Sequence, residues 1–482
     1  MMRGGWLACT LVGALTLAAC GSDDDGTAGA PTGGSGGGPT GGSGGTGSGG
    51  TSGSSGTSGS GGTAGEGGTS GSGGSAGTGG DGGIMIPDDL WEILQRLTPL
   101  PDVPADTTNS VADNAAARTL GQRLFFDKKL SGPIKVKSDL GEVDEIGKVS
   151  CASCHQGSQL DDQRSQPRTV SLGADFHSRN APALVNSSFY QWTNWGGRFS
   201  AQWELPLPVS ESGVIMNSNR LKIVHRIFDA YRGDYEAIFG PLEPAIGNDA
   251  TRFPAEGKPG DGTWDNMAAA DQEIVNRVFV NFGKVLQAYV RQLVSRNAPF
   301  DRFIAGDTAA LSDAAIEGAM LFASKARCAS CHSGPHFSDG LFHNLGVPQE
   351  GEKVPASDDG RYKDAPGLLT SPFTSASSTW SDDPEEGAKR IAGITNPMPE
   401  STRAAFRTPT VRGVEHTAPY MHSGQIATLE DVIEFYNSGG GTAARLVPLH
   451  LTEEEASNLL AFLKSLTGDA IPAALLQDTS AP

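Results

Sequence analysis

Two short runs carry the chemistry of this chain: Cys151-Ala-Ser-Cys154-His155 and Cys328-Ala-Ser-Cys331-His332. In each, two cysteines three apart share one turn of helix, so each can form a thioether with a vinyl group of haem. The histidine that follows then turns its imidazole towards the iron from one face. A lone CxxC reads equally as a redox disulfide or half of a zinc site. Two complete CxxCH units favour covalent haem c instead. His155 and His332 are therefore the expected proximal iron ligands. Of six cysteines, the remaining two are Cys9 and Cys20, which leaves none for a structural disulfide in the folded part.

The elements that must hold these motifs read mainly as helix and long loop. Ala115–Phe126 places Ala117, Leu120, Leu124 and Phe125 at helical spacing. Arg220–Phe239 and Gln272–Ser295 carry broad apolar faces, through Leu221 to Ile238 and Ile274 to Leu293. Ser312 can cap a helix running through Ile316 and Leu321 to the second motif. Thr452-Glu453-Glu454-Glu455 is a capping box for a helix through Leu466, stopped at Gly468. Alternating strand patterns are scarce. The expected fold class is mainly α: two cytochrome c-like haem domains with long loops, each haem filling part of its core.

Met1-Met2-Arg3 and the apolar stretch Trp6–Ala19 read as a signal peptide, too short to span a bilayer comfortably. Leu17-Ala-Ala-Cys20-Gly21 resembles the lipobox of bacterial lipoproteins, in which lipid is carried on the cysteine. From there to residue 86 the chain is dominated by Gly, Ser and Thr. Such a stretch has too few apolar groups to offset its ordering entropy, and is expected to be a disordered linker. A random coil of this kind reaches about 40–45 Å. The boundaries expected are a lipoprotein signal at 1–20, linker at 21–86, an N-terminal haem domain at 87–300, a C-terminal haem domain at 301–470 and a tail at 471–482. The net charge of −19 argues against a nucleic-acid partner and suits a basic protein partner.

The segments around the motifs then bring a family into view. Gly121-Gln-Arg-Leu-Phe-Phe-Asp-Lys-Lys-Leu-Ser131 precedes the first CxxCH. Arg179-Asn-Ala-Pro-Ala-Leu-Val-Asn186 and Asn194-Trp-Gly-Gly-Arg198 follow it. Phe406-Arg-Thr-Pro-Thr-Val-Arg412 and Thr417-Ala-Pro-Tyr-Met-His-Ser-Gly424 come near the C-terminus. In this order, over about residues 115–467, the set resembles the bacterial di-haem cytochrome c peroxidase family, including its MauG-type branch.

The resemblance implies that the N-terminal haem reacts with hydrogen peroxide and that the C-terminal haem takes electrons from a donor. It places Trp195 between the haems as a relay. It implies a calcium ion held by Asn180 and by the backbone carbonyls of Thr417 and Pro419, hard oxygen ligands of the kind calcium takes. The sixth ligand of the C-terminal haem falls at Tyr436, fourteen residues after His422, as in the MauG-type branch. Packing of Tyr436, with Met421 or another methionine on the iron, stays open. The partners implied are peroxide and a small electron-donor protein, a cytochrome c or cupredoxin. The chain would be exported to the periplasm or cell surface and anchored through lipid on Cys20, with a homodimer left open.

The sequence also departs from the family. Alignment on the Trp195 segment and Met216 puts Leu205 where the family has a glutamine and Ile215 where it has the proton-transferring glutamate. Leu172 stands where a distal histidine would bind the resting iron, and His177 is five residues off. The N-terminal haem is thus expected to be five-coordinate or water-bound. Glu204 and Glu211 lie close in sequence and read as surface carboxylates. Three functions follow: peroxide reduction with donor electrons, MauG-like oxidation of a protein or organic substrate through high-valent haem, or a tethered electron carrier without enzymatic activity.

Overall fold

A computed structural model of the chain describes residues 84–482 apart from Arg168 and Ala443. The signal peptide, Cys20 and nearly all of the linker expected from sequence lie outside the described residues. The described part is mainly α, as expected. Its one sheet is a two-stranded antiparallel ribbon in which Phe342 pairs with Arg407 and His343 with Phe406. No described helix is long and apolar enough to cross a membrane.

Two large apolar cores carry the architecture. The first joins Leu120, Leu124 and Phe125 of the helix Ala115–Phe126 to Val278, Phe282, Val285 and Tyr289 of Ala269–Val290. The second joins Ile316 and Phe322 of Asp313–Ala323 to Leu459, Phe462 and Leu463 of Glu453–Lys464. Each fully buried Phe or Leu adds roughly 1.5–3 kcal/mol over an exposed one.

Both helix pairs cross at a glycine. A Cβ on Gly121 would lie 1.9 Å from the Val285 carbonyl oxygen, and one on Gly318 would lie 1.9 Å from that of Asn458. The same close crossing therefore supports each CxxCH, one in each half. A third, small cluster of Ala365, Leu368, Ile394 and Met398 lies in the long excursion between the two ribbon strands.

The caps read from sequence are present. The Ser312 side chain accepts from Ala315 N–H, and Thr452 and Glu455 form the reciprocal box. One expected helix is two: Arg220–Ala230 and Arg232–Phe239 meet at Tyr231, whose buried hydroxyl donates to Asp127 at 2.7 Å. Both ends of the described chain cross over between the cores. Ile86, Leu94 and Leu97 are buried in the second core. There Asp301, held by both terminal nitrogens of the Arg412 guanidinium at 2.9 Å, also accepts from Thr98. Residues 469–482 return to the first core, where Tyr289 donates to Leu475 O at 2.6 Å and Arg226 to Ala481 O at 2.7 Å.

Candidate functional site

The two CxxCH motifs adopt one local geometry. Single turns of 3-10 helix, Cys151–Ser153 and Cys328–Ser330, put both cysteines of each motif on the same side. The His155 N–H donates to Cys151 O at 3.1 Å, and the His332 N–H to Cys328 O at 2.8 Å. Each imidazole is then held by its Nδ1, at 3.1 Å from Leu160 O and 3.2 Å from Phe337 O. A carbonyl at Nδ1 fixes the proton there and leaves the Nε2 lone pair free for a metal.

None of the four cysteines is in a disulfide. Burial pushes the Cys151, Cys154 and Cys328 thiols up to about 12. Cys331 alone is lowered, by its hydrogen bond with His343; at the first motif both thiols are raised, the opposite of what a redox-active CxxC needs.

Beside the second motif opens a cavity of about 950 Å³. Phe322, Cys328, Cys331 and His332 line one side, and Tyr436, Leu459 and Leu463 also face it. The buried Arg407, on the cavity wall, has an Nε with no hydrogen-bond partner. The donor set, the free imidazole nitrogen and the unsatisfied guanidinium fit a c-type haem. Burial raises the Tyr436 phenol above its ordinary value, with Cys328 and Cys331 adding to the shift. No described protein group hydrogen-bonds its hydroxyl, and only a cationic centre would reverse that preference for the protonated form. The Cys331, Asp339 and His343 ligand atoms lie within 4.8 Å of one another. A thioether at Cys331 removes the thiolate such a trio would need.

Around the first motif, Leu172 and Ile215 share one loop pair. The Ala174 N–H donates to Ile215 O at 2.8 Å, and Cys154 Sγ lies 3.7 Å from Leu172 O. Neither Glu211 nor Glu204, the glutamates close to Ile215 in sequence, is free to replace the carboxylate missing there. Glu211, expected at the surface, is clasped by Arg220 through two 2.9 Å bonds and is 15% exposed. Glu204, also expected at the surface, is 1% exposed. It accepts from Ser200 N–H and Oγ–H and from Ser375 N–H at 3.0, 2.8 and 2.6 Å. Glu204 was hidden because Ser375, one of its partners, comes from a distant segment, and Glu211 because its partner Arg220 opens the next helix. His177 turns Nδ1 to the Arg179 N–H at 3.1 Å.

Burial moves the Glu204 carboxyl up to about 7 from 4.5, against the hydrogen bonds that favour its charged form. Its contribution to stability is then complete below about pH 4.5 and lost as pH rises through 7. Glu204→Gln is expected to remove that loss, which amounts to about 3 kcal/mol. Denaturant titrations of variant and parent between pH 5 and 8 check this: the variant's curve should be the flatter.

Asn180, Trp195, Thr417 and Pro419 converge on the same cavity. The Trp195 Nε1–H donates to Asn180 O at 2.8 Å, and the Arg407 N–H donates to Trp195 O at 2.8 Å. The Asn180 N–H donates to His422 O at 2.8 Å. Asn180 Oδ1 accepts from Ser165 Oγ at 3.1 Å. A Cβ on Gly424 would come 2.5 Å from Asn180 Nδ2 and 3.0 Å from Pro419 Cγ, so this close approach and its φ of +65° require glycine. Among the described residues the Thr417 and Pro419 carbonyls accept no hydrogen bond, which suits oxygen ligands awaiting a hard cation. Sequence reasoning missed Arg407 as a cavity residue. Its place in Phe406-Arg-Thr-Pro was the available signal.

The family model described as di-haem cytochrome c peroxidase matches residues 115–309. Cytochrome-c peroxidase IdrP1 of Denitromonas iodatirespirans is 32% identical over 397 residues, covering 77% of this chain and 86% of that protein. The methylamine utilization protein MauG of Methylorubrum extorquens is 28% identical over 396 residues, covering 80% and 87%. Among solved structures, a MauG-like protein associated with microbial copper homeostasis aligns with a TM-score of 0.52 at 25% identity, over 80% of this chain and 97% of that one.

Proposed function

The chain belongs to the di-haem cytochrome c peroxidase family, and on that premise we propose that this oxidoreductase reduces hydrogen peroxide with electrons passed from the C-terminal to the N-terminal haem. The observation that carries the reading is the anchoring of Trp195. Its indole N–H is bonded to Asn180, downstream of the first CxxCH, and its carbonyl to Arg407, in the ribbon that follows the second. An indole there lets charge cross in two short steps rather than one long one.

Haem, when bound, supplies the iron that gives and takes the electrons. The protein does the rest. His155 and His332 present Nε2, and the cysteines fix the macrocycle. Tyr436 would offer its oxygen as a ligand at the second haem, and Arg407 would offer a guanidinium to a propionate. Asn180, Thr417 and Pro419 would hold calcium beside the relay, so one residue, Asn180, ties ion and indole together. With Ile215 in place of the glutamate, no described side chain at that position can move a proton between the peroxide oxygens. Peroxide turnover then depends on water and is slow.

The donor is a small redox protein, a cytochrome c or cupredoxin, attracted by the acidic surface. Export and a lipid on Cys20 hold the domain at a bacterial membrane, in the periplasm or at the cell surface. Tyr436 also supports a second reading, MauG-like oxidation of a protein or organic substrate, because an anionic oxygen ligand stabilises oxidised iron.

The relay is tested with Trp195→Phe in the holoprotein. With the C-terminal haem reduced beforehand and peroxide added, its reoxidation should slow by at least about tenfold while both haem spectra stay unchanged. An unaltered rate removes Trp195 from the path.

A further inference from the structure

Three oxidisable rings surround the Trp195 turn, and a guanidinium covers each. Arg361 Cζ is 4.3 Å from the centre of the Trp192 ring and 3.9 Å from that of Phe342. Arg407 Cζ is 3.3 Å from the centre of Tyr190, and Arg403 Cζ is 4.0 Å from that of Tyr362. Trp195 itself has no cation over its ring among the described residues.

Arg361 is the most informative of the three. It is 7% exposed, and no described carboxylate lies at ion-pair distance. Its hydrogen bonds are long ones, 3.4 and 3.3 Å, to the carbonyls of Gly196 and Gly197. A Cβ on Gly197 would lie 2.3 Å from Arg361 Nη1 and 2.4 Å from Phe342 Cζ. The second glycine of Asn194-Trp-Gly-Gly-Arg198 therefore makes room for this guanidinium. Burial brings Arg361 down to about 10, which still leaves it charged at neutral pH.

A cation over a neutral aromatic ring is attracted by the ring's negative face. Loss of an electron makes the ring positive and turns the attraction into repulsion, little screened at a buried site. Trp192 is three residues from Trp195, so their Cα atoms are at most about 11 Å apart. Trp192 is thus the natural place for charge to leak. Its ring packs against the small third cluster, as Tyr362 does, and is not among the described residues lining the cavity.

We propose that Arg361 is a positioning residue that keeps Trp192 reduced and so confines migrating charge to Trp195. This rests on the reading of Trp195 as the relay.

The test uses the holoprotein with peroxide and no donor. Peroxide takes two electrons and two protons to give two waters. An indole that loses two electrons and two protons and gains a water oxygen becomes hydroxytryptophan, so one peroxide and one indole give hydroxytryptophan and one water. Peptide mass spectrometry then reads where oxygen enters. In Arg361→Met, oxygen at Trp192 should rise about tenfold, and Arg361→Lys, which keeps the charge, should stay at the parent value. Arg361→Gln replaces the Met variant if that one loses its haem bands. Unchanged Trp192 oxidation in the neutral variant overturns the proposal. So does an equal rise in Arg361→Lys, which would report loosened packing. If the parent consumes no peroxide, the relay reading fails separately. Azide radicals from pulse radiolysis then oxidise the indoles directly, and equal Trp192 yields in parent and neutral variant overturn the proposal.

Discussion

Replacing Ile215 by glutamate is expected to raise the rate of peroxide reduction by about 10²–10⁴-fold, the range over which a positioned acid–base group acts. The site is prepared for it. The Ile215 carbonyl is fixed by the Ala174 N–H, and the loop that carries Ala174 also carries Leu172, whose carbonyl lies beside Cys154. Neither carboxylate nearby in sequence can serve instead. Glu211 is neutralised by Arg220, and Glu204 is enclosed by two serines. Stopped-flow mixing of Ile215→Glu and parent with peroxide and excess reduced donor measures the ratio. Equal rates would mean that another group already moves the proton.

The second large effect is expected at Tyr436. If Tyr436 is the ligand proposed above, Tyr436→Met exchanges an anionic oxygen ligand for a thioether. The oxygen favours ferric iron and the thioether favours ferrous, so the potential of the C-terminal haem should rise by on the order of 100 mV or more. Spectroelectrochemical titration of the variant and the parent reads this directly, and the other haem serves as internal reference. An unchanged potential and spectrum would return Tyr436 to a packing role. The cavity geometry favours ligation, because the ring faces the space beside His332 and its hydroxyl has no described protein partner.

Much of this was legible in the sequence because the signals are local. A CxxCH fixes two thioethers and a ligand within five residues, and the structure adds only the carbonyls of Leu160 and Phe337 that orient the rings. The helices at Ala115–Phe126 and Glu453–Lys464 followed from spacing and a capping box. What escaped depends on contacts between distant positions. Glu204 is solvated or buried according to Ser375, 171 residues away. Ile86 and Leu94 pack on helices more than 200 residues on, and the tail at 469–482 returns to the first core. Arg361 gave no sign of a role, because nothing in Gly360-Arg-Tyr-Lys says that Trp192 and Phe342 will close on it.

The central claim, that two covalent haems joined through Trp195 carry electrons to peroxide, is tested most directly by one stopped-flow experiment on the calcium-loaded holoprotein. A reduced small cytochrome is mixed with it and with peroxide, and both haem bands are followed. The account predicts donor oxidation in step with peroxide loss, two donor electrons for each peroxide, passing through the C-terminal haem first. Slow bleaching of the haem bands with no donor oxidation would contradict it and leave the chain as an electron carrier.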